Sequence, residues 1–422
     1  MAHFGTAEDE GFTGSGHGSL GLGSGTVRIA LFSHDSVGLG HVRRNRAVAF
    51  SLARDLPRLT GKTVSGLLIA GNPEATRYSL PPGWDWVVLP GVAPADHGYR
   101  PRSFGESMSG LRSLRAAAID AILTTAQPDL FIVDRHPFGV AGELTAALAT
   151  ARRHGCRTVL GLREVLDTPA VLTAEWDAVG GAAAVADSFD QVWLYGDSSV
   201  YDARLTGEVP AELARIAVAT GYLSLSRPDP LRVPADQSPF VLTVLGGGSD
   251  GGALARTAIR AEPPAGHRHL VVTGPQMDRG EADLLAHAAH PRTQVIRHSD
   301  DVPGLIASAS AVVCMAGYNT LAEVMATSTP ALVVPRVGRR AEQPRRAEAL
   351  ARAGAMSTRA LGELTPLGLG EWFASQVGRS VSREHIDRSG LSVVPRLAAH
   401  LVGALPTVTP VDASAKEAHC AG

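Results

Sequence analysis

The sequence predicts an α/β protein with two doubly wound, Rossmann-like domains, and three observations lead to that fold class. Short apolar runs rich in β-branched residues alternate with helical patterns along most of the chain, which is typical of parallel sheets covered by helices on both faces. A proline-rich segment without periodicity, residues 224–238, interrupts this alternation once. The length, 422 residues, exceeds what one hydrophobic core usually serves.

The first domain is predicted over residues 27–223. Residues 1–26 carry glycines and acidic residues where a signal peptide would need a basic start and an apolar stretch, so we predict a disordered extension there. Helical patterns rich in alanine and arginine separate several of the predicted strands. These strands are 27–33, 64–70, 86–89, 130–134, 158–162, 192–195 and 216–220.

The second domain is predicted over residues 239–405, beyond the linker at residues 224–238. Its strands are expected at 241–245, 270–273, 294–297, 311–315 and 331–334, each except the last followed by a helical pattern. Residues 395–405 predict a closing helix that could pack on either domain. Residues 406–422 predict an unstructured tail.

The composition limits the partners that we expect. Lysine and arginine (39) nearly balance aspartate and glutamate (41), which argues against a nucleic-acid-binding protein. The cysteines Cys156, Cys314 and Cys420 are far apart and form no CxxC motif, which favours a reducing compartment. No uninterrupted apolar segment is long enough to cross a bilayer. We therefore expect a cytoplasmic protein, and association with a membrane surface stays an open alternative without support.

A glycine loop follows the first predicted strand and ends in a histidine. Gly38 and Gly40 allow a ligand to approach the backbone closely, and His41 starts the next helix at the edge where α/β folds bind ligands. We predict that His41 is a general base, because an imidazole titrates near neutral pH. The alternative is a histidine that only holds the glycine turn, which is the structural role we expect for His34.

Charged residues accompany this loop. Arg43 and Arg44 lie in the first turn of the helix, where cations are unfavourable unless an anion is near, so we predict an anionic group on a substrate. Alternatively, these arginines reach to surface carboxylates or to solvent. Asp134 and His136 end another strand at the same edge and are candidates for the base or its orienting partner, although a strand-end aspartate is often only a turn residue.

The first strand of the second domain also ends in glycines. Gly246, Gly247, Gly248 and Ser249 precede a helix, an arrangement that suits backbone N–H donation to a diphosphate. The run lacks the lysine of a P-loop, and its spacing differs from the dinucleotide motif GxGxxG. The alternative is a plain flexible loop.

Residues 308–343 predict a strand, a glycine turn at Gly317 and Asn319, a helix, a second strand and an arginine-rich loop that includes Arg336. This βαβ unit would hold a phosphorylated ligand through amides and arginines. Thr320 and Glu323 have the spacing of a helix capping box, although a carboxylate there could also accept both hydroxyls of a ribose.

Gln343 precedes Pro344, which we expect at the first helical position. Its amide could cap that helix or bind sugar hydroxyls. No cluster of His, Cys, Asp and Glu has metal-ligand spacing. We therefore predict neither a metal ion nor another cofactor.

These residues resemble a known superfamily. The stretches GYNTLAE (317–323), PALVVPR (330–336) and EQ (342–343) with RA (346–347) resemble the donor half of GT-B glycosyltransferases, in particular enzymes similar to the peptidoglycan N-acetylglucosaminyltransferase that makes lipid II. The opening SHDSVGLGHVRRN (33–45) is similar to a less characterised bacterial branch of predicted glycosyltransferases. The resemblance spans most of residues 27–354.

The resemblance implies a GT-B fold, with two Rossmann-like domains facing a central cleft. It implies an inverting, metal-independent transfer of a hexose or N-acetylhexosamine from a nucleotide-diphosphate sugar, with UDP or dTDP favoured, to a hydroxyl acceptor. The C-terminal domain would bind the donor and the N-terminal domain the acceptor. The arginines suggest an acceptor that carries phosphate or carboxylate.

The resemblance also implies roles for individual residues. Glu323 would hold the ribose, Gln343 the donor sugar, and His41 would sit where the N-terminal glycine loop meets the acceptor. The diphosphate would bind at residues 246–249 with Gly317, Asn319 and Thr320. Two features depart from the family: Pro344 after Gln343, and a more basic loop at Arg336, Arg339 and Arg340.

Two other functions remain open. A sugar-nucleotide epimerase has a similar two-domain fold, but it usually opens with a Gly-Thr-Arg-Pro-Glu-like stretch, where this chain has residues 33–41. A non-catalytic sugar-nucleotide sensor would keep the donor pocket and would not need His41. A dehydrogenase is disfavoured because the dinucleotide motif is absent.

Overall fold

The computed structural model describes residues 25–34, 38–95, 98–228, 238–248, 250–336, 338 and 340–403. Its main elements are two parallel β-sheets with helices packed around them. The predicted extension and tail lie outside the described residues, apart from Gly25 and Thr26, as does most of the predicted linker.

The first sheet has seven parallel strands in the order β3-β2-β1-β6-β7-β8-β9, and a separate antiparallel pair, β4-β5, lies beside it. The strands are β1 (Thr26–Ser33), β2 (Thr63–Ala70), β3 (Trp84–Val88), β4 (Val92–Pro94), β5 (Tyr99–Pro101), β6 (Leu130–Asp134), β7 (Arg157–Arg163), β8 (Gln191–Tyr195) and β9 (Ala217–Ala219). The helices are α1 (Gly40–Thr60), α2 (Met108–Ala126), α3 (Thr145–Arg153), α4 (Pro169–Ala178), α5 (Gly181–Ser188) and α6 (Ala211–Ala214).

The second sheet has six parallel strands in the order β12-β11-β10-β13-β14-β15. They are β10 (Phe240–Val244), β11 (Arg268–Val272), β12 (Thr293–Ile296), β13 (Val312–Cys314), β14 (Ala331–Val333) and β15 (Ser357–Thr358). The helices are α7 (Gly252–Ala258), α8 (Arg279–His287), α9 (Val302–Ser308), α10 (Tyr318–Met325), α11 (Glu342–Arg352), α12 (Pro366–Gln376) and α13 (Gly390–Leu401).

Central strands are apolar because both of their faces are covered. Every residue of β6 and of β10 is buried, as expected for parallel strands between two helical layers. Each predicted strand overlaps an observed one, and β6 has the predicted bounds. The predicted α/β class with two doubly wound sheets is therefore confirmed.

Four elements differ from the sequence prediction. The hairpin β4-β5 and the two-residue strand β15 were not predicted, because such short strands show no periodicity. No helical pattern was identified directly after β14, because several buried residues of α11 are polar, although Pro344 was expected to start a helix there; α11 begins at Glu342. β1 begins at Thr26, which had been assigned to the extension.

The last helix returns to the first sheet. α13 begins at Gly390, earlier than predicted, and it packs on α1, where the Ser51 hydroxyl donates a hydrogen bond to the Leu391 carbonyl. Two cysteines, Cys156 and Cys314, are buried free thiols, and burial raises the pKa of each to about 12. In the part of the chain described here, no helix is both long and apolar enough to span a bilayer.

Candidate functional site

The candidate site lies where the strand order of each sheet reverses. β1 lies between β2 and β6 in the first sheet, and β10 lies between β11 and β13 in the second. Loops that leave such neighbouring strands diverge and open a crevice at the carboxyl edge, where open α/β sheets bind ligands. The residues singled out in the sequence cluster on these loops and on the helices that follow them.

The two crevices face each other. Asn319, at the start of α10, donates a hydrogen bond from Nδ2 to the carbonyl oxygen of Gly40, at the start of α1, over 2.8 Å. A Cβ atom built on Gly38 would lie 3.7 Å from Nε2 of Gln276, whose backbone N–H donates to the Gly247 carbonyl over 2.9 Å. The glycine loops of the two domains therefore line one cleft.

His41 and Asp134, both singled out in the sequence, are in direct contact. Nδ1 of His41 lies 3.2 Å from Oδ2 of Asp134. Nη2 of Arg44 lies 2.7 and 2.6 Å from the two oxygens of the same carboxylate and 3.2 Å from Nδ1 of His41. The carboxylate takes both hydrogens of that nitrogen, so we assign the Nδ1 hydrogen of His41 to the bond with Asp134, which leaves Nε2 as a proton acceptor.

Electrostatics keep His41 neutral and Asp134 ionised. Burial lowers the pKa of the His41 imidazole below its ordinary value, and the Asp134 carboxylate offsets only part of that shift. Burial alone would raise the pKa of Asp134, but the Arg44 guanidinium and His41 outweigh it and lower this pKa to about 2. A neutral imidazole held at Nδ1 by a carboxylate can accept a proton at Nε2.

Two further histidines adjoin His41. The ring centroid of His34 lies 4.1 Å from that of His136, and the His41 centroid lies 6.0 and 6.5 Å from these two rings. Burial lowers the pKa of His34 to about 3 and that of His136 well below its ordinary value. Nε2 of His34 lies 2.9 Å from the hydroxyl of Tyr99. Tyr99 belongs to the unpredicted hairpin β4-β5, so no sequence pattern indicated that it would reach this cluster.

The three imidazoles do not form a metal centre. Across the described ranges of the chain, no group of three or more His, Cys, Asp and Glu side chains could hold a metal ion. What the cluster offers is a set of neutral ring nitrogens beside the cleft.

Glu323 lies on the opposite side of the cleft, inside α10. It is 2% exposed, and its Oε1 accepts a hydrogen bond from Nη2 of Arg43, which belongs to α1 of the first domain. Its second oxygen, Oε2, is buried and has no hydrogen-bond partner among the described residues. The predicted capping box is wrong: the N-cap of α10 is Gly317, no side chain caps it, and both Thr320 and Glu323 lie within the helix.

Two arginines in the first turn of α1 form ion pairs with carboxylates of the same chain. Arg44 pairs with Asp134, and Arg43 pairs with Glu323. Arg46 instead donates from Nε to the carbonyl of Ser79 over 2.8 Å. Both carboxylates are buried. The alternative interpretation had supposed carboxylates on the surface. A substrate anion is therefore not needed to explain these arginines.

The second glycine loop is held in a conformation that only glycine adopts easily. Gly246 and Gly248 have φ values of 62° and 94°. A Cβ atom at Gly248 would lie 2.4 Å from the Thr273 carbonyl oxygen, and one at Gly274 would lie 2.4 Å from that of Gly246. The loop thus packs tightly against the turn after β11. Ser249 lies outside the described residues.

The arginine loop and α11 form the rim of the site. The amide oxygen of Gln343 accepts a hydrogen bond from the backbone N–H of Arg336 over 3.1 Å, and Nη1 of Arg336 lies 2.6 Å from Oδ2 of Asp250. α11 begins at Glu342 with Ala341 as its N-cap, so Pro344 is not the first helical residue as predicted. Gln343 therefore stabilises the loop through the backbone of Arg336. Arg339 lies outside the described residues.

Ion pairs join the two domains around the cleft. Arg346 of α11 donates from Nε to Oε1 of Glu164 over 2.8 Å, and both side chains are 1% exposed. Further pairs are Arg163–Glu342, Arg340–Asp167, Arg340–Glu175 and Arg345–Glu208. No sequence pattern indicates these partners, because the paired residues are far apart in the chain and local patterns do not show which distant residues will meet.

The second half of the chain matches a known family. Residues 241–375 match the model of the glycosyltransferase family 28 C-terminal domain. The chain is also similar to the UDP-N-acetylglucosamine–N-acetylmuramyl-(pentapeptide) pyrophosphoryl-undecaprenol N-acetylglucosamine transferase of Synechococcus sp. (strain CC9902), with 30% identity over 212 residues, 46% of this chain and 56% of that protein. The chain spans about half the length of the curated relatives that it matches.

Solved structures share the fold over about nine tenths of the chain. The glycosyltransferase VinC, solved in complex with dTDP, has a TM-score of 0.54 at 14% identity, covering 90% of this chain and 96% of that one. A candidate UDP-N-acetylglucosamine 2-epimerase from Listeria monocytogenes has a TM-score of 0.56 at 12% identity, covering 89% and 96%. At these identities the likeness concerns the fold alone, which is the GT-B arrangement of two Rossmann-like domains.

Proposed function

We propose that this chain, which has the GT-B fold and is similar to the lipid-II-forming N-acetylglucosaminyltransferase family, is an inverting, metal-independent glycosyltransferase. It transfers a hexose or N-acetylhexosamine from a nucleotide-diphosphate sugar to a hydroxyl acceptor. One observation carries the proposal. The Asn319–Gly40 hydrogen bond holds the helix that bears His41 against the helix that bears Glu323, so a base and a carboxylate suited to ribose face the same cleft.

The donor is assigned to the second domain. The ribose hydroxyls would donate hydrogen bonds to Glu323, whose buried Oε2 lacks a donor; a buried carboxylate oxygen without a partner is costly, and a ligand hydroxyl relieves that cost. The diphosphate would lie against Gly246, Gly247 and Gly248 and against the start of α10, where no side chain caps the backbone N–H groups. Gly317, Asn319 and Thr320 belong to this second contact; Ser249, also proposed for the diphosphate, lies outside the described residues.

Gln343 and Arg336 stand at the sugar end of the donor site in this proposal. The Gln343 amide oxygen is bonded to the Arg336 backbone, which leaves its NH₂ group to donate to a sugar hydroxyl. Arg336 is paired with Asp250 and Glu342. Its contribution to donor binding would therefore be the position of the loop together with its charge.

The acceptor is assigned to the first domain, at Gly38, Gly40, Arg43, Arg44 and His136. Arg44 acts indirectly, because its guanidinium is buried against Asp134. The imidazoles beside the cleft are neutral near pH 7 because burial lowers their pKa. We therefore place any anionic group of the acceptor away from these rings.

The reaction is a single displacement at the anomeric carbon. The acceptor oxygen forms a bond to that carbon while the bond to the diphosphate oxygen breaks, and the electron pair leaves with the diphosphate. Nε2 of His41 takes the acceptor proton, and Asp134 holds the imidazole and stabilises the imidazolium that forms. Backbone N–H groups aimed at the leaving diphosphate would each contribute about 2.7–4 kcal/mol, as in other preorganised anion sites.

A thermal-shift experiment tests the donor site. The melting temperature is measured with UDP, dTDP, GDP, ADP and NAD for the natural chain, for Glu323→Ala and for the control Glu348→Ala, an exposed carboxylate of α11. A ligand at one hundred times its Kd stabilises a protein by about 2.7 kcal/mol, which is readily seen. We expect one nucleoside diphosphate to stabilise the natural chain and the control but not Glu323→Ala. No stabilisation, or stabilisation by NAD alone, would refute the proposal.

The epimerase alternative is distinguished by its products. An epimerase converts one sugar nucleotide into another without an acceptor, whereas a transferase releases the nucleoside diphosphate when an acceptor is present. The match to the glycosyltransferase family 28 domain favours the transferase. Inversion at C2 of the sugar in purified protein, detected by NMR without acceptor, would favour the epimerase.

A further inference from the structure

Arg43 and Glu323 form a contact between the domains that involves the carboxylate assigned to the ribose. Nη2 of Arg43 donates to Oε1 of Glu323. The Glu323 side chain is 1% exposed, whereas that of Arg43 is 27% exposed. A second guanidinium, that of Arg227, lies 3.9 Å from the same oxygen. In this structure the charge of Glu323 is thus paired with an arginine that comes from the other domain.

This contact and a bound ribose compete for one carboxylate. If the two ribose hydroxyls bond to one oxygen of Glu323 each, one of them must share Oε1 with Arg43, which donates to that oxygen in this structure. A buried carboxylate that loses its cation is destabilised, so a nucleoside that displaces Arg43 must overcome the loss of an ion pair. A ligand that gives Arg43 a new anion overcomes that loss more easily.

The diphosphate is such an anion. Arg43 lies in the first turn of α1, whose first residue, Gly40, contacts Asn319 at the start of α10. Gly38 lies beside Gln276, which is bonded to the loop at Gly247. Arg43 therefore belongs to the turn of the first domain that contacts the start of α10, one of the two stretches proposed for the diphosphate, and its planar donors match phosphate oxygens.

We propose that Arg43 exchanges partners when the donor binds: it leaves Glu323 to the ribose hydroxyls and binds the diphosphate of the nucleotide sugar. This inference rests on the proposed function, moves Arg43 from the acceptor site to the donor site, and adds a specificity determinant for the donor. The exchange disfavours nucleosides, which displace Arg43 without compensation, and favours nucleoside diphosphates. It also brings a cation from the domain of His41 onto the leaving group, so the contact that Arg43 makes depends on whether a donor is bound.

The test compares nucleosides with nucleoside diphosphates. Dissociation constants are measured by titration calorimetry for the nucleoside diphosphate that binds best and for its nucleoside, such as UDP and uridine, with the natural chain and Arg43→Met. We expect Arg43→Met to bind the nucleoside at least about tenfold more tightly and the diphosphate at least about tenfold more weakly, because a charge-assisted hydrogen bond contributes about that factor. Opposite changes for the two ligands are the signature of exchange.

Two further variants control the experiment. Arg58→Met removes an equal charge from the exposed end of the same helix, where Arg58 is 79% exposed, and should change neither constant. Arg43→Lys keeps the charge and should restore part of the preference for the diphosphate, even if Arg43→Met folds poorly.

The outcomes separate this inference from the proposed function. If no nucleoside diphosphate binds the natural chain, both fail. If one binds and Glu323→Ala abolishes binding, the donor site stands. If Arg43→Met then changes the affinities for nucleoside and diphosphate equally, or changes neither, partner exchange is refuted while the donor site remains.

Discussion

At the scale of residues, His41 carries the strongest chemical expectation. Its Nδ1 is held by Asp134, which in turn is held by Arg44 over 2.6 and 2.7 Å. Burial lowers the pKa of the His41 imidazole. The proton-accepting form of this base is therefore present at neutral pH without a titration step.

The pH profile of the transfer reaction tests this arrangement. Because the base must be unprotonated, kcat should rise with pH on the acid side, with a midpoint below the ordinary histidine pKa of 6.5, and should be level at neutral pH. An acid limb centred above 6.5 would contradict the assignment of His41 as the base.

Replacement of Asp134 tests the orienting role. Asp134→Asn removes the carboxylate that raises the His41 pKa and frees the imidazole to reverse its tautomer, so we expect kcat to fall by about 10²–10⁴-fold, with an acid midpoint below that of the natural enzyme. Asp283→Asn, at an exposed position of α8, is the matched control and should have normal kinetics. Steady-state rates across pH for the three proteins decide the matter; an unchanged kcat in Asp134→Asn would rule out the pairing.

Sequence reasoning identified the types and places of these residues but not all of their partners. His41 and Asp134 could be found because both lie at the same edge of a parallel sheet. His41 follows a strand and a glycine loop, and Asp134 ends a strand. The Arg43–Glu323 contact joins residues separated by 280 positions, and Tyr99 comes from a three-residue strand. Contacts of this kind depend on how the two domains meet, which no local pattern records.

At the scale of elements, the loop between β10 and α7 depends on glycine. Gly248 has a φ of 94°, and a Cβ atom there would lie 2.4 Å from the Thr273 carbonyl oxygen. Gly266 has a similar φ of 72°, but no atom lies within 4 Å of its Cβ position. The two positions therefore separate backbone strain from collision with a neighbour.

We expect Gly248→Ala and Gly266→Ala to lose about 1–2 kcal/mol each through the left-handed backbone conformation. Only Gly248→Ala should also displace the glycine loop and weaken binding of the nucleoside diphosphate at least about tenfold. Urea denaturation and calorimetric titration of both variants provide the comparison. Equal nucleotide affinities in the two variants would remove this loop from the donor site.

The helix α11 is joined to the first domain by a buried ion pair. Arg346 and Glu164 are both 1% exposed, and Arg346 also donates to the carbonyls of Ala316 and Val165. Glu164→Ala leaves a buried guanidinium without its carboxylate, so the free energy of unfolding should fall by about 3–5 kcal/mol.

The double variant Glu164→Leu with Arg346→Met replaces the pair by apolar groups and should be more stable than Glu164→Ala. A double-mutant cycle by urea denaturation measures the coupling between the two residues. If both changes simply add, the pair has no mutual stabilisation. Apolar periodicity does not detect α11, because its buried face includes Glu342, Gln343 and Arg346, so only Pro344 indicated a helix in this stretch.

At the scale of the whole molecule, buried histidines in both domains link stability to pH. Burial lowers the pKa of His34 and of His269 to about 3 each. The unfolded chain, in which these groups have the ordinary value of 6.5, binds more protons below that pH, so the free energy of unfolding falls as pH falls. The lowered pKa of Asp134, about 2 against an ordinary 3.8, acts the same way but only at more acidic pH.

Between pH 6.5 and pH 5, His269 should account for about 2 kcal/mol of lost stability. The variant His269→Gln removes this contribution, and its free energy of unfolding should depend less on pH by that amount. His298→Gln, at an exposed position, is the control. Equal pH dependence in His269→Gln and the natural chain would show that His269 is not held neutral.

The two-domain architecture itself could be predicted from the alternation of strands and helices, since parallel sheets impose that order on the chain. The way in which the domains close on each other could not, because it depends on ion pairs such as Arg163–Glu342 and Arg345–Glu208 between distant segments. Both pairs hold α11 of the second domain against the first domain.

A crystal structure with the nucleoside diphosphate that binds best gives the sharpest test of the proposed donor site. We expect the ribose at Glu323 and the diphosphate against Gly246, Gly247 and Gly248. We also expect the His41 ring to face the side of the ligand where the anomeric carbon of the sugar would lie. A nucleotide bound elsewhere, or bound in this cleft with Glu323 still paired to Arg43 and distant from the ribose, would contradict it.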